Sequence, residues 1–384
     1  MKIGSRNIGT GHPVFVVAEI GQNHQGSLEI AKEMIVKAKE IGVDCVKFQK
    51  SCLEAKFTKQ ALDRSYSGKN SWGRTYGEHK EHLEFTIEEY ETLQQFCSEV
   101  GILFSASAMD PISLQQLKQL QLPFIKIGSG DADNIPLITE AAALNVPLIV
   151  STGMQSWNQV ERVYSILRNQ SMALLHCVSA YPTPPSDAVL KMIPLYREHF
   201  PDVVIGYSGH ELGLQLSVAS VLLGACIIER HFTLDKNWKG TDHKASLDPT
   251  EFSKLIEYIR SVENLCVQPN MEDILSVLSK VLKDNEINPD DLKEALKPVT
   301  IADRKLLLSE IPCFQKLGKS LVYKNDFTRG HVLTRNDINV KVSEPHGIRP
   351  EFLASVLGQR VVRSCFRDEP IMESDLMKDD TKNN

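Results

Sequence analysis

The stretch "CIIERHFTLDKNWKGTDH", Cys226 to His243, leaves an apolar, β-branched run for Glu229, Arg230 and His231 and then a polar loop holding Asp242 and His243. A polar group buried without a partner costs on the order of several kcal/mol, so three of them at the end of a strand need a use. Side chains alternate along a strand, which puts Glu229 and His231 on one face and Arg230 on the other. A second imidazole, His210, ends the preceding apolar run "VVIGYSGH". Two imidazoles on neighbouring strand tips can share a divalent metal, with Glu229 and water completing an open coordination sphere. Ordinary hydrogen-bonded histidines are the competing reading, because neither HxH nor HExxH spacing is present.

Two lysines suggest the charge of a ligand. Lys47 in "VKFQ" and Lys126 in "IKIGSG" sit inside apolar strands, where an ammonium needs an anion or shifts its pKa. The neighbouring "GSG" at 128–130 and "STG" at 151–153 add hydroxyls and accessible backbone N–H groups suited to phosphate or carboxylate oxygens. Internal salt bridges to Glu19 and Glu229 are the alternative.

These residues need a scaffold that brings them together. Eight strand-like runs, "PVFVVAEIG", "DCVKFQK", "ILFSAS", "FIKIGS", "PLIVSTG", "MALLHC", "VVIGYSGH" and "CIIERHFT", alternate with segments of helical period such as "SLEIAKEMIVKAKEIG" and "NQVERVYSILRNQ". Eight βα units in succession predict an α/β fold, a (β/α)8 TIM barrel closed by the helix "PTEFSKLIEYIRSVENL". A doubly wound sheet is disfavoured because the first turn, "EIGQNHQGS", lacks GxGxxG. Barrel chemistry sits at the C-terminal strand ends. Those ends carry Glu19, Lys47, Gln49, Ser105, Ser107, Lys126, Ser129, Ser151, His176, Ser208, His210, Glu229 and His231. A convergence on all eight strands points to a site.

The totals narrow the class. A chain of 384 residues exceeds one typical core, so a large domain and a small one are expected. We place the barrel at 1–267, a linker carrying helix at 268–315, a compact domain of short strands at 316–375 and a polar tail at 376–384. A net charge of -6 gives no general footprint for nucleic acid or an anionic membrane. The eight cysteines are scattered singly, with no CxxC, and read as reduced thiols. No signal-like leader and no apolar run of about 18 residues is present, so the expected location is cytoplasmic.

Taken in order, "AEIGQNHQG", "KFQK", "KIGSGD", "STGMQS", "SAYPTPP", "GYSGHELG" and "ERHFTLDKNWKGTDHKASL" resemble the sialic acid synthases from about Val14 to Met372. The loop "SWGRTYGEHKEHLEF" is similar to the animal branch, and "KLGKSLV" through "VKVSEPHG" to their antifreeze-like (SAF) domain. The resemblance implies condensation of phosphoenolpyruvate with N-acetylmannosamine or its 6-phosphate, with release of phosphate and a need for Mn2+ or Mg2+. It implies phosphoenolpyruvate contacts at Lys47, Ser107, Lys126, Ser129, Ser151 and Ser208. It puts the metal on His210 and His231, the sugar against Gln49, Tyr181 and Asp242, and Glu19 in the acid/base role. It further implies a homodimer in which each small domain caps the partner's barrel. The arginine that bacterial members carry after "VK" is replaced by Val342 and Ser343, leaving Lys341 and Arg349 as the nearest basic residues.

Between the second and third strands lies a long basic loop with Arg64, Lys69, Arg74, His79 and Lys80, shaped by Trp72 and Tyr76. Arg74 is expected to grip a sugar 6-phosphate. Another phosphoenolpyruvate-dependent nonulosonate or ketodeoxy sugar acid synthase is the near alternative. A non-catalytic sugar-binding barrel is the distant one, disfavoured because acid/base, anion and metal groups occur together.

Overall fold

The computed structural model describes residues 1–265 and 268–377. Cys266, the barrel boundary at 267 and positions 378–384 of the expected tail lie outside the described residues. Eight parallel strands close into a barrel, running Phe15–Gly21, Cys45–Lys50, Leu103–Ala108, Ile125–Ile127, Leu148–Ser151, Met172–Cys177, Val204–Gly209 and Ile227–His231. Each pairs with the next in sequence, and the eighth returns to the first with His231 opposite Glu19.

Alternation along the strands explains why one end of the barrel is dry and the other polar. Phe15, Val17, Cys45 and Ile227 fill the lower interior with Phe124, Ile149, Ala173 and Leu175, plugged from below by Ile3 and Ile8. Two residues further along the same inward faces come Glu19, Lys47 and Glu229. The outward residues, such as Val16, Val46 and Ile228, build a second core against the helices. Those helices start on capping boxes, Thr86 with Glu89 and Asp248 with Glu251, and Gly101 ends the first of the two in the left-handed conformation. Gly21 (φ +56°) breaks the register just above Glu19. A side chain there would press on the Glu19 carboxylate and the Gln49 amide, 3.1 and 3.2 Å from its Cβ.

The segment expected as a linker is part of the outer wall. Its helices Met271–Val281 and Pro289–Ala295 bury Ile274, Leu278, Leu292 and Ala295 in the helix-side core. Beyond them the small domain pairs Lys319–Tyr323 with Ile338–Val342 antiparallel around Leu321, Tyr323, Leu333 and Val361. It sits on the C-terminal end of its own barrel. Lys319 bonds Asp131 at 2.9 Å, Val342 O accepts from Thr58 N at 2.9 Å, and Phe57, Tyr76 and Val342 share a small apolar cluster. Within the chain the small domain thus caps its own barrel. No helix among the described residues is long and apolar enough to cross a membrane.

Candidate active site

The strand tips, the long loop and the small domain enclose a cavity of about 550 Å³. Its lining includes Glu19, Lys47, Gln49, Ser107, Lys126, Ser129, Ser151, Tyr181, Ser208, His210, Glu229, His231 and Asp242. Two strand-end residues of the sequence reading do not line it. Ser105 donates to Phe124 O at 2.8 Å, and His176 lies outside the barrel with Nε2 at 2.7 Å from Ala188 O. Ser105 shares the inward face of Ser107 but lies one layer lower, in register with Lys47, whereas alternation sends His176 to the outer face and the inward place beside it is taken by Cys177.

The floor is a balanced set of charges. Lys47 is ion-paired with Glu19, lies 3.7 Å from Glu229, and donates to Ser107 Oγ at 3.1 Å. Lys126 donates to Ser151 Oγ at 2.6 Å and stands 3.7 Å from Glu229. The internal pairs weighed against an anion therefore exist, and an incoming anion would share the lysines with them. Burial lowers the Lys126 ammonium below its ordinary range, and Glu229 offsets this only in part. Burial acts on Lys47 likewise, but Glu19 and Glu229 hold it raised. Burial also lifts the Glu19 carboxyl, against the pull of Lys47. Gln49 donates to Glu19 Oε1 at 2.7 Å and fixes its orientation.

Beside this floor stand the two imidazoles, ring centres 5.5 Å apart, with the Tyr181 ring 4.1 Å from His210. His210 Nδ1 lies 2.9 Å from Val178 O. A carbonyl only accepts, so Nδ1 carries the proton and Nε2 keeps a lone pair for a metal. His231 Nδ1 is buried with no partner among the described residues, and burial, opposed by Asp242, brings its imidazole down to about 3. Both rings suit a divalent cation. Among the described residues no group of three or more His, Cys, Asp or Glu forms a metal cluster.

Arg230 points to the opposite face, as alternation requires. Its guanidinium bonds Glu211 Oε1 at 2.8 Å, Ser217 Oγ at 2.7 Å and Glu211 O at 2.6 Å. It ties the last strand to the loop after His210.

The long loop differs from expectation. Arg74 is exposed and outside the cavity lining, and its backbone N–H is what meets Glu78. The helix Tyr76–Leu83 begins there, with Thr75 and Glu78 as a capping box, and turns Tyr76, His79 and Lys80 inward while Arg74 precedes its first turn. Lys69 is exposed, and Arg64 stacks over Tyr76 at 4.0 Å. Lys341 pairs with Asp368 at 2.7 Å and Arg349 with Glu351 at 3.0 Å; neither lines the cavity. Lys56, Lys316 and Cys177 do, and sequence reasoning passed over all three. Burial raises the Cys177 thiol, but His210 and Ser129 beside it leave it below its ordinary value.

Residues 34–270 match the NeuB family and residues 318–377 the SAF domain. An N-acetylneuraminate-9-phosphate synthase of Drosophila melanogaster is 47% identical over 367 residues, covering 95% of this chain and 96% of that one. The enzyme of the same name from Homo sapiens is 45% identical over 370 residues, covering 96% and 94%. The crystal structure of the spore coat polysaccharide biosynthesis protein SpsE from Bacillus subtilis superposes with a TM-score of 0.77 at 27% identity, covering 98% of this chain and 99% of that one.

Proposed function

The chain belongs to the NeuB family, and we propose that it condenses phosphoenolpyruvate with N-acetylmannosamine 6-phosphate, giving N-acetylneuraminate 9-phosphate and phosphate. It is a transferase of sialic acid biosynthesis that forms a C–C bond. The observation that carries the reading is the position of Glu19, ion-paired with Lys47 of the anion floor and opposite His231 in strand register.

Lys47 and Lys126, with the hydroxyls of Ser107, Ser129, Ser151 and Ser208, take the phosphate and carboxylate of phosphoenolpyruvate. Gln49, Tyr181 and Asp242 take the open-chain sugar and set its C1 against C3 of phosphoenolpyruvate. Mn2+ or Mg2+ held by His210 and His231 would polarise the aldehyde oxygen. As C3 bonds to C1, the C1 oxygen takes a proton and C2 becomes electron-deficient. Water adds at C2 and loses a proton, and the C2–O bond to phosphate then breaks as the new C2 hydroxyl passes its remaining proton to the departing phosphate and becomes the ketone. Glu19 gives the first proton and accepts the second, a role suited to a carboxyl whose proton affinity burial has raised. Glu229, 3.7 Å from both lysines, opposes the effect of burial on them between turnovers.

A mass spectrum of the product, with phosphate measured alongside, tests the reaction. One phosphate released per nine-carbon phosphosugar acid is expected. Phosphate release without a condensed product would overturn it.

The quaternary reading is a homodimer with exchanged small domains. One seat serves both arrangements, and a domain of roughly 60 residues is marginal alone.

A further inference from the structure

Away from the floor, three more lysines line the cavity from separate parts of the chain. Lys56 ends the short helix Leu53–Lys56, Lys80 lies in Tyr76–Leu83, and Lys316 lies in Ile311–Leu317, which leads into the small domain. Lys56 and Lys80 are only 4% and 7% exposed. Among the described residues none of the three ammonium groups has a carboxylate within 4.0 Å. Lys80 donates to Gln22 Oε1 at 2.6 Å, and Lys56 reaches only the thioether of Met109, at 2.9 Å, a weak acceptor. The nearby acids are engaged elsewhere, Glu84 with Lys50 at 2.7 Å and Asp131 with Lys319 at 2.9 Å. The floor lysines each have a carboxylate within 4.0 Å, which these lack.

That imbalance disfavours the empty state. Burial first, then Lys316 and Lys56, hold the Lys80 ammonium well below its ordinary range. Burial and Lys319 bring Lys56 down to about 8. Burial acts on Lys316 too, but Tyr76 and Asp242 hold it raised, so a dianion chiefly relieves the repulsion that Lys80 feels from Lys316 and Lys56. Asp242 links the two regions, because its carboxylate interacts with His231 and with Lys316 and Lys80. Asp242, the imidazoles and the three lysines line one cavity, so a sugar held by Asp242 with its aldehyde at the imidazoles has the lysines within the same enclosure.

We propose that Lys56, Lys80 and Lys316 form the seat of the sugar 6-phosphate and set the preference for the phosphorylated over the free sugar. This deepens the reaction assigned above and rests on it. The role expected of exposed Arg74 passes to buried lysines, one of which reaches the cavity only when the small domain docks.

The test is kcat/KM for N-acetylmannosamine 6-phosphate and for N-acetylmannosamine in wild type, Lys80→Gln, Lys316→Gln and the double variant. Loss of one charge-assisted contact should lower the ratio of the two constants about tenfold or more, and loss of two about a hundredfold. Lys80→Arg should restore most of the ratio. Empty Lys80→Gln should melt at or above the wild-type temperature, because a repelled charge is gone, whereas a lysine that merely supports the fold would lower it. An unchanged ratio, equal loss with both sugars, or a collapse of Tm overturns the seat. Wild type that turns over neither sugar sinks the reaction itself.

Discussion

Lys126 has a hydroxyl at 2.6 Å but its carboxylate only at 3.7 Å, so a ligand anion is its better partner. Lys126→Met should weaken phosphoenolpyruvate binding by about 2–3 kcal/mol, roughly 30- to 150-fold in Kd, as for a lost charge-assisted contact. Calorimetric titration reads this, and an unchanged Kd would remove Lys126 from the anion site. Lys47 is a poorer probe, since removing it also strands the Glu19 carboxylate it pairs with. At the imidazoles, EDTA should abolish turnover and Mn2+ restore it in wild type. His210→Ala should stay inactive under both conditions with its circular dichroism unchanged, for the polar bond of this ring is to Val178 O. Full activity of metal-free protein would falsify the metal's role.

The last barrel strand depends on the Arg230–Glu211 pair, which is buried on both sides. Arg230→Met leaves that carboxylate unpaired and should cost about 3–5 kcal/mol in denaturant unfolding, the range for half of a buried pair. A loss under about 1 kcal/mol would show the pair to be dispensable. A second element, the turn after the fourth strand, carries Asp133 beside Arg349 of the small domain at 3.6 Å. Burial, only partly offset by Arg349, pushes its carboxyl up to about 7. The unfolded chain ionises this group near pH 4. Between roughly pH 4 and 7 the unfolded state therefore releases a proton that the folded state keeps, and this group's contribution to stability falls as pH rises. Above that window its contribution is flat. Asp133→Asn should remove the slope from a plot of denaturation midpoint against pH, and an unaltered slope would place the titration elsewhere. The strands were legible because inward and outward faces follow a period of two, with Glu19, Lys47 and Glu229 set two places beyond inward apolar residues. His176 was misplaced for want of the register that decides which face a lone polar residue takes, and Ser105 because it lies one layer below the tip, where it bonds Phe124 O. The loop was not legible at all in this respect, since a capping box decides that Lys80 faces in while Arg74 stays out.

At the scale of the whole molecule, the site needs the small domain, which supplies Lys316 and Lys319 to the cavity. No local pattern links these residues to Lys47 or His231, so only docking reveals them. In the proposed dimer, chains carrying Glu19→Gln and chains carrying Lys319→Ala, co-expressed, should regain activity where an intact barrel receives an intact cap. Absence of complementation, or sedimentation as an active monomer, would rule out the exchange. A cavity that joins a buried anion floor to a seat for a phosphorylated sugar should favour the phosphorylated substrate. The most direct test is phosphate release by the wild-type protein, with phosphoenolpyruvate and Mn2+ saturating and each sugar varied. A higher kcat/KM with N-acetylmannosamine 6-phosphate than with N-acetylmannosamine is the predicted result; an equal or lower value for the phosphorylated sugar would contradict it.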